Sequence, residues 1–190
     1  LQGKPGGLRV RVIGSLGGSF NRRDHVTPYA ESLLSRAKGL PIEFLGFINN
    51  RSDEFKLNVA AADIMVAPSL VEPQGLVVLE ALAMGKPVIG SDTGGISEMI
   101  TGEVGLLFPP ADSAALARSI QVLRHDRSRL RALEANCRRY VEANFSWRQA
   151  AQSYLRVFAA HQPALQYSTR APRARNVTMA PHRHKEGHVQ

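Results

Sequence analysis

Residues 63–90 read Asp63-Ile-Met-Val-Ala67-Pro68-Ser69-Leu-Val-Glu72-Pro73-Gln74-Gly75-Leu76-Val-Val-Leu-Glu80-Ala-Leu-Ala-Met84-Gly85-Lys86-Pro87-Val88-Ile89-Gly90. Ile64–Ala67 is a short apolar run rich in β-formers, and Pro68-Ser69 stops it, as a buried strand requires. Glu72-Pro73-Gln74-Gly75 leads into an apolar segment that runs as a helix to Met84. Gly85-Lys86-Pro87 then turns the chain into a second buried strand, Val88–Gly90. A strand, a helix and a strand joined by tight connections is a βα unit of a parallel sheet.

The same alternation continues on both sides. Upstream, Leu8–Ile13 reads as a strand broken by Gly14, Gly17 and Gly18, followed by a helix over 24–38 that Gly39 and Pro41 end. Ile42–Phe47 reads as a strand closed by Gly46 and the Asn49-Asn50 turn, and a helix covers Asp53–Ala62. Downstream come a Gly94-Gly95 loop, a short helix over Ile96–Ile100, and a strand Val104–Phe108. Asp112 caps a helix through Arg124, and helices near Asp126–Ala143 and Ser146–Ala160 complete the pattern. The expected fold is α/β, a Rossmann-like doubly wound parallel sheet. Ligands of such sheets bind where loops gather at the carboxyl ends of strands. Gly14–Gly18, Gly46–Asn50, Pro68–Gly75 and Ser91–Gly95 all fall there.

Composition narrows the function classes. Of 190 residues, 44% are hydrophobic and 21% charged, so wholesale disorder is excluded. No apolar stretch is long enough to span a bilayer, and no signal-peptide pattern is present, so a cytoplasmic location is expected. The single cysteine, Cys137, excludes an internal disulfide framework and a Cys-rich zinc site. Flanked by Arg138 and Arg139 mid-helix, with no histidine to activate it, it reads as a packed thiol. Trp147 reads as core. The net charge of +8 invites a nucleic-acid reading. Half of that charge, however, lies in residues 161–190, where five cations face Glu186 alone. This Pro-containing tail reads as disordered, with His182, His184 and His188 lacking partner ligands for a metal. No specific nucleic-acid partner is expected. Residues 1–7 read as a stub and 8–160 as the domain.

The loops indicate the chemistry. Gly75-Leu76 opens a helix directly after a strand, so free amides and the positive end of the helix dipole face the crevice and suit a phosphate. Gly75 equally serves a tight turn. Glu80 lies about one and a half turns into the helix among apolar neighbours. A carboxylate so placed must reach a partner or point to a polar cleft. Glu72 and Glu80 together suit a ligand with vicinal hydroxyls plus phosphate, such as a nucleotide sugar. Alone, each also fits an ordinary solvated acid. Gly14–Gly18 is not the dinucleotide fingerprint, and no G-x-x-x-x-G-K-[ST] loop exists.

The ordered series Asp63–Ser69, Glu72–Val88, Thr93-Gly-Gly95 and Gly105-Leu-Leu-Phe-Pro109, with Phe145-Ser146-Trp147 opening the last helix, resembles the donor-binding C-terminal half of GT-B retaining glycosyltransferases of the GT4, or group 1, family. The resemblance runs from Leu8 to Ala160. It implies that Glu72, the catalytic-motif acid, binds donor-sugar hydroxyls and that Glu80 binds the ribose. It implies that the amides of Gly75 and Leu76 hold the sugar or diphosphate, that Gly46 and Phe47 border the base, and that Ser69 lies near the diphosphate or simply caps its strand. Gln74 stands where the family usually has an aromatic, which keeps its backbone role and alters the packing around the sugar. The family's domain begins one βα unit earlier, with cations that face the diphosphate; Gly3-Lys4-Pro5 does not match that unit. The first βα unit is therefore expected to be missing, leaving Leu8–Ile13 without its usual neighbour and an apolar seam beside Ile64–Ala67. The acceptor-binding N-terminal domain is expected to be missing as well. The resemblance implies a hexosyltransferase that uses a nucleoside diphosphate sugar as donor substrate, with no cofactor and no metal. The isolated chain is expected to be inactive. The alternative is a non-catalytic nucleotide-sugar-binding module that works with a separate acceptor-domain chain.

Overall fold

A computed structural model describes residues 7–16 and 26–161. Along them run β1 (Val10–Ile13), α1 (Pro28–Arg36), β2 (Ile42–Gly46), α2 (Asp53–Ala60), β3 (Met65–Ala67), α3 (Leu76–Ala83), β4 (Val88–Ser91), α4 (Gly94–Met99), β5 (Gly105–Phe108), α5 (Ser113–His125), α6 (Arg127–Asn144) and α7 (Trp147–His161). Each expected strand and helix forms, with ends moved by a few residues. Gly17, Gly18, the expected helix start at residue 24, residues 1–6, and the tail beyond His161 with its three histidines lie outside the described residues.

Helix starts follow local chemistry. Thr27, Ser52, Asp112 and Asp126 each accept a hydrogen bond from the amide three residues on, at 3.2, 3.1, 2.8 and 2.8 Å. These caps satisfy amides that the first helical turn leaves without partners. The helices α3 and α4 differ: neither Gly75 nor Thr93 caps through its own side chain.

Among the described residues all strand pairs are parallel, but the five strands do not form one continuous sheet. They form a two-stranded sheet, β1–β2, and a three-stranded sheet, β3–β4–β5. In a doubly wound sheet of order 3-2-1-4-5-6, strand 1 stands between 2 and 4. Among the described residues the observed order is that sequence without its central strand. β1 and β3 are the strands that would flank it, and Val10 and Val66 are accordingly exposed.

Packing is densest around β4, whose four residues are all buried. Successive side chains of a strand point to opposite faces. Val88 joins Ala67, Val78, Ala81, Leu82, Ile96, Met99, Ile100, Val104 and Cys137 in one core cluster. Ile89 joins Phe108, Ala115, Leu123, Leu130 and Leu133 in the other. The three-stranded sheet thus has helices on both faces, as buried parallel sheets do. A third, smaller cluster of Ile48, Phe55 and Val59 packs on Ile13, Leu45 and Met84, tying β1–β2 and α2 to the end of α3.

The chain divides into two compact units at Ala150–Ala151, inside α7. Trp147 is not core: it is 92% exposed. No side chain described in α7 is buried, and its Tyr154 ring stacks on Phe158 one turn away.

Candidate functional site

The strand-end crevice is built from the β3–α3 loop and held by the β4–α4 loop. The buried Ser91 hydroxyl donates to the Ser69 carbonyl at 2.6 Å and lies 3.3 Å from that of Ala67. Thr93 Oγ1 donates to the Leu70 carbonyl at 3.4 Å, and the Gly95 amide to the Glu72 carbonyl at 3.0 Å. A Cβ at Gly94 would collide with the Glu72 carbonyl, and one at Gly95 with the Gln74 backbone. The glycine pair therefore lets α4 press directly against the loop. Ser91 and Thr93 went unrecognised as loop latches in the sequence, where the only signal was a serine closing an apolar strand.

Gly75 has φ +79 and ψ 44, in the left-handed region that disfavours a side chain. A Cβ there would also crowd Ile96 at 3.2 Å and Glu72 at 3.3 Å. The Glu72 carboxylate folds back over this turn. Its Oε1 accepts from the Gly75 amide at 3.0 Å and, more loosely, from the Gln74 amide at 3.4 Å. The bend needs glycine, so the turn reading of Gly75 holds; its amide, expected to face a ligand anion, is taken instead by the chain's own Glu72 carboxylate at the positive end of α3. Gln74 and Leu76 are exposed beside it, and Ser69 is half-buried.

The second acid also finds a partner. Glu80, half-buried in α3, accepts through Oε1 from Asn50 Nδ2 at 2.6 Å. Asn50 stands in the turn after β2. There Asn49 Oδ1 accepts from the Arg51 amide at 2.9 Å, and its carbonyl accepts from the Ser52 hydroxyl at 2.7 Å. At the same end of β2, Gly46 takes φ +72 and its carbonyl accepts from the Gly14 amide at 2.9 Å. Phe47 is exposed and Ile48 buried. Ser69, Glu72, Gln74 and Gly75 thus share the β3–α3 loop, Leu76 opens α3, and Glu80 joins that helix to the β2 end through Asn50.

Other features lie apart. An open hollow of about 570 Å³ is lined by Arg11, Glu54, Leu57, Asn58 and Ala61, none of them an expected site residue. Its one cation is already engaged, with Arg11 donating to Glu43 at 3.3 Å and to Asn58 at 3.1 Å. The Cys137 thiol is buried and donates to the Leu133 carbonyl at 3.1 Å. Burial pushes its pKa up to about 11, so it stays a thiol at neutral pH, as the packed reading requires.

The fold is a Rossmann-like α/β domain of the kind that forms the C-terminal half of GT-B glycosyltransferases. The chain belongs to the family described as glycosyl transferases group 1, whose model matches residues 4–126. It is 38% identical over 135 residues to a GDP-mannose-dependent alpha-(1-6)-phosphatidylinositol dimannoside mannosyltransferase of Mycobacterium tuberculosis, covering 70% of this chain and 34% of that protein. The C-terminal domain of a glycosyl transferase group 1 family protein (LpcC) from Francisella tularensis superposes with a TM-score of 0.57 at 29% identity, covering 64% and 66% of the two chains. Anabaena HepE, solved in complex with UDP-glucose, superposes with a TM-score of 0.64 at 26% identity, covering 80% of this chain and 41% of that one. The chain spans 24% and 36% of the length of the first two curated relatives it matches.

Proposed function

We propose that this chain is the donor-binding part of a retaining glycosyltransferase that moves a hexose from a nucleoside diphosphate sugar to an acceptor hydroxyl. The supporting observation is the pair of carboxylates on the β3–α3 loop and α3, each oriented by a neutral donor and each with one oxygen that accepts no hydrogen bond among the described residues. Glu72 Oε1 is spent on the Gly75 amide, which leaves Oε2 to accept from hydroxyls of the donor sugar. Glu80 Oε1 is held by Asn50, which leaves Oε2 for a ribose hydroxyl. The diphosphate then lies against the Leu76 amide at the N-terminus of α3, whose positive field the Glu72 carboxylate already offsets. Gly75 and Gln74 shape that approach through the backbone, Ser69 borders it, and Gly46 with Phe47 faces the base. That amide and cations from outside these residues stabilise a departing nucleoside diphosphate. No metal or cofactor takes part in this reading, so a chelator should leave donor affinity unchanged.

Calorimetric titration with UDP, GDP and ADP sugars tests the reading. One class should bind, and Glu80→Ala should weaken it about tenfold or more, the cost of a hydrogen bond to a charged group. Unchanged affinity in Glu80→Ala would refute the ribose assignment.

A further inference from the structure

We propose that Asn50 is a positioning residue of this site: its side-chain amide holds Glu80 so that the remaining carboxylate oxygen meets a vicinal hydroxyl of the bound ribose. The inference rests on the reading of Glu80 as the ribose contact, and adds a residue and a role to it.

The hydrogen bond is short, 2.6 Å, and joins residues thirty apart in the chain. It crosses between elements that otherwise meet through the small cluster around Ile48, Phe55 and Met84. Asn50 is itself held on both sides. Ile48 is buried before it, and after it Ser52 accepts from the Phe55 amide at 3.1 Å while donating to the Asn49 carbonyl at 2.7 Å. A donor on so fixed a turn sets the direction of its acceptor.

Glu80 needs such a guide. The terminal torsion of a glutamate is broad, so a helix alone does not aim its carboxylate. A lysine or arginine at position 50 would aim it too, but would neutralise the charge that makes it a strong acceptor. The amide orients the carboxylate and leaves its charge intact. An ionised carboxylate offers about four acceptor sites, and Asn50 takes one. The rest can receive vicinal hydroxyls, which a nucleoside presents and a deoxynucleoside lacks.

The test uses the 190-residue chain, a nucleoside diphosphate that it binds, and the analogue lacking both ribose hydroxyls. Calorimetry should show the natural form preferred by about tenfold or more in the wild type. Asn50→Ala and the near-isosteric, uncharged Asn50→Leu, which removes the donor, should both shrink that preference severalfold. Affinity for the analogue should hardly change, and thermal melting should show an intact fold. Variants that keep the wild-type preference would overturn the role of Asn50 while leaving the nucleotide site standing. Equal weakening towards both ligands would also overturn it, by marking Asn50 as structural. A wild-type chain that binds no nucleoside diphosphate would remove the functional reading and this inference together.

Discussion

Glu72 carries two jobs in one side chain, and they can be separated. Its carboxylate serves as the N-terminal cap that Gly75 lacks, and the same group is proposed to receive sugar hydroxyls. Glu72→Ala removes both and should cost about 1 kcal/mol of stability, the usual worth of a cap. Glu72→Gln keeps a carbonyl oxygen for the Gly75 amide, so urea denaturation should place it within about 0.5 kcal/mol of wild type. Donor affinity should nonetheless fall in both, because the glutamine amide is neutral and accepts only through its carbonyl oxygen. A glutamine variant that binds donor as the wild type does would show that Glu72 acts on stability alone. The two acids stood out in the sequence because each sits oddly, one after a strand and before Pro73, the other inside an apolar helix. Asn50 and Ser91 did not. Small polar residues in turns and at strand ends have many ordinary uses, and their partners here lie 30 and 22 residues away.

Among the elements, the junction of α3 and α4 is the most sharply determined. Gly95 packs where a methyl group would enter the Gln74 backbone, and its amide holds the Glu72 carbonyl at 3.0 Å. Gly95→Ala must push the β3–α3 loop away and should destabilise by about 1–3 kcal/mol, the range for overpacking. Gly102→Ala is the control: nothing lies within 4 Å of a Cβ there, so its melting temperature should stay near the wild-type value. Equal melting temperatures for the two variants would mean that the loop yields freely, and the latch would lose its meaning. Strands and helices were legible because apolar runs, prolines and caps act locally. The contact between Gly95 and the loop was not, since Gly94-Gly95 is also what any turn would use. Trp147 failed for a related reason: hydrophobicity says what a side chain prefers, and only packing says whether a surface is there to cover it.

At the scale of the molecule, strand count was readable and sheet continuity followed only from topology. Parallel order sets one strand between β1 and β3, and among the described residues each of these two pairs on one side only. Cohesion is therefore uneven. The β3–β4–β5 sheet is sandwiched between two large clusters, whereas β1–β2 and α2 depend on Ile48, Phe55 and Val59 with three partly buried neighbours. Local opening free energies track buried apolar contact and exposed backbone hydrogen bonds. Among the described residues β1 pairs on one side only and Leu8 and Val10 are exposed, so the β1–β2 ladder should open without the rest. Amide hydrogen exchange should show Val88 and Ile89 protected to the level of global unfolding, and Val12 and Ile13 exchanging orders of magnitude faster. Saturating nucleotide should then slow exchange in β2 and the Asn50 turn more than in β4. The hydrogen bond from Asn50 to Glu80 crosses the two parts, and a ligand resting on both carboxylates couples them. Uniform protection across both sheets would mean that the small cluster is enough to make the unit fold as one.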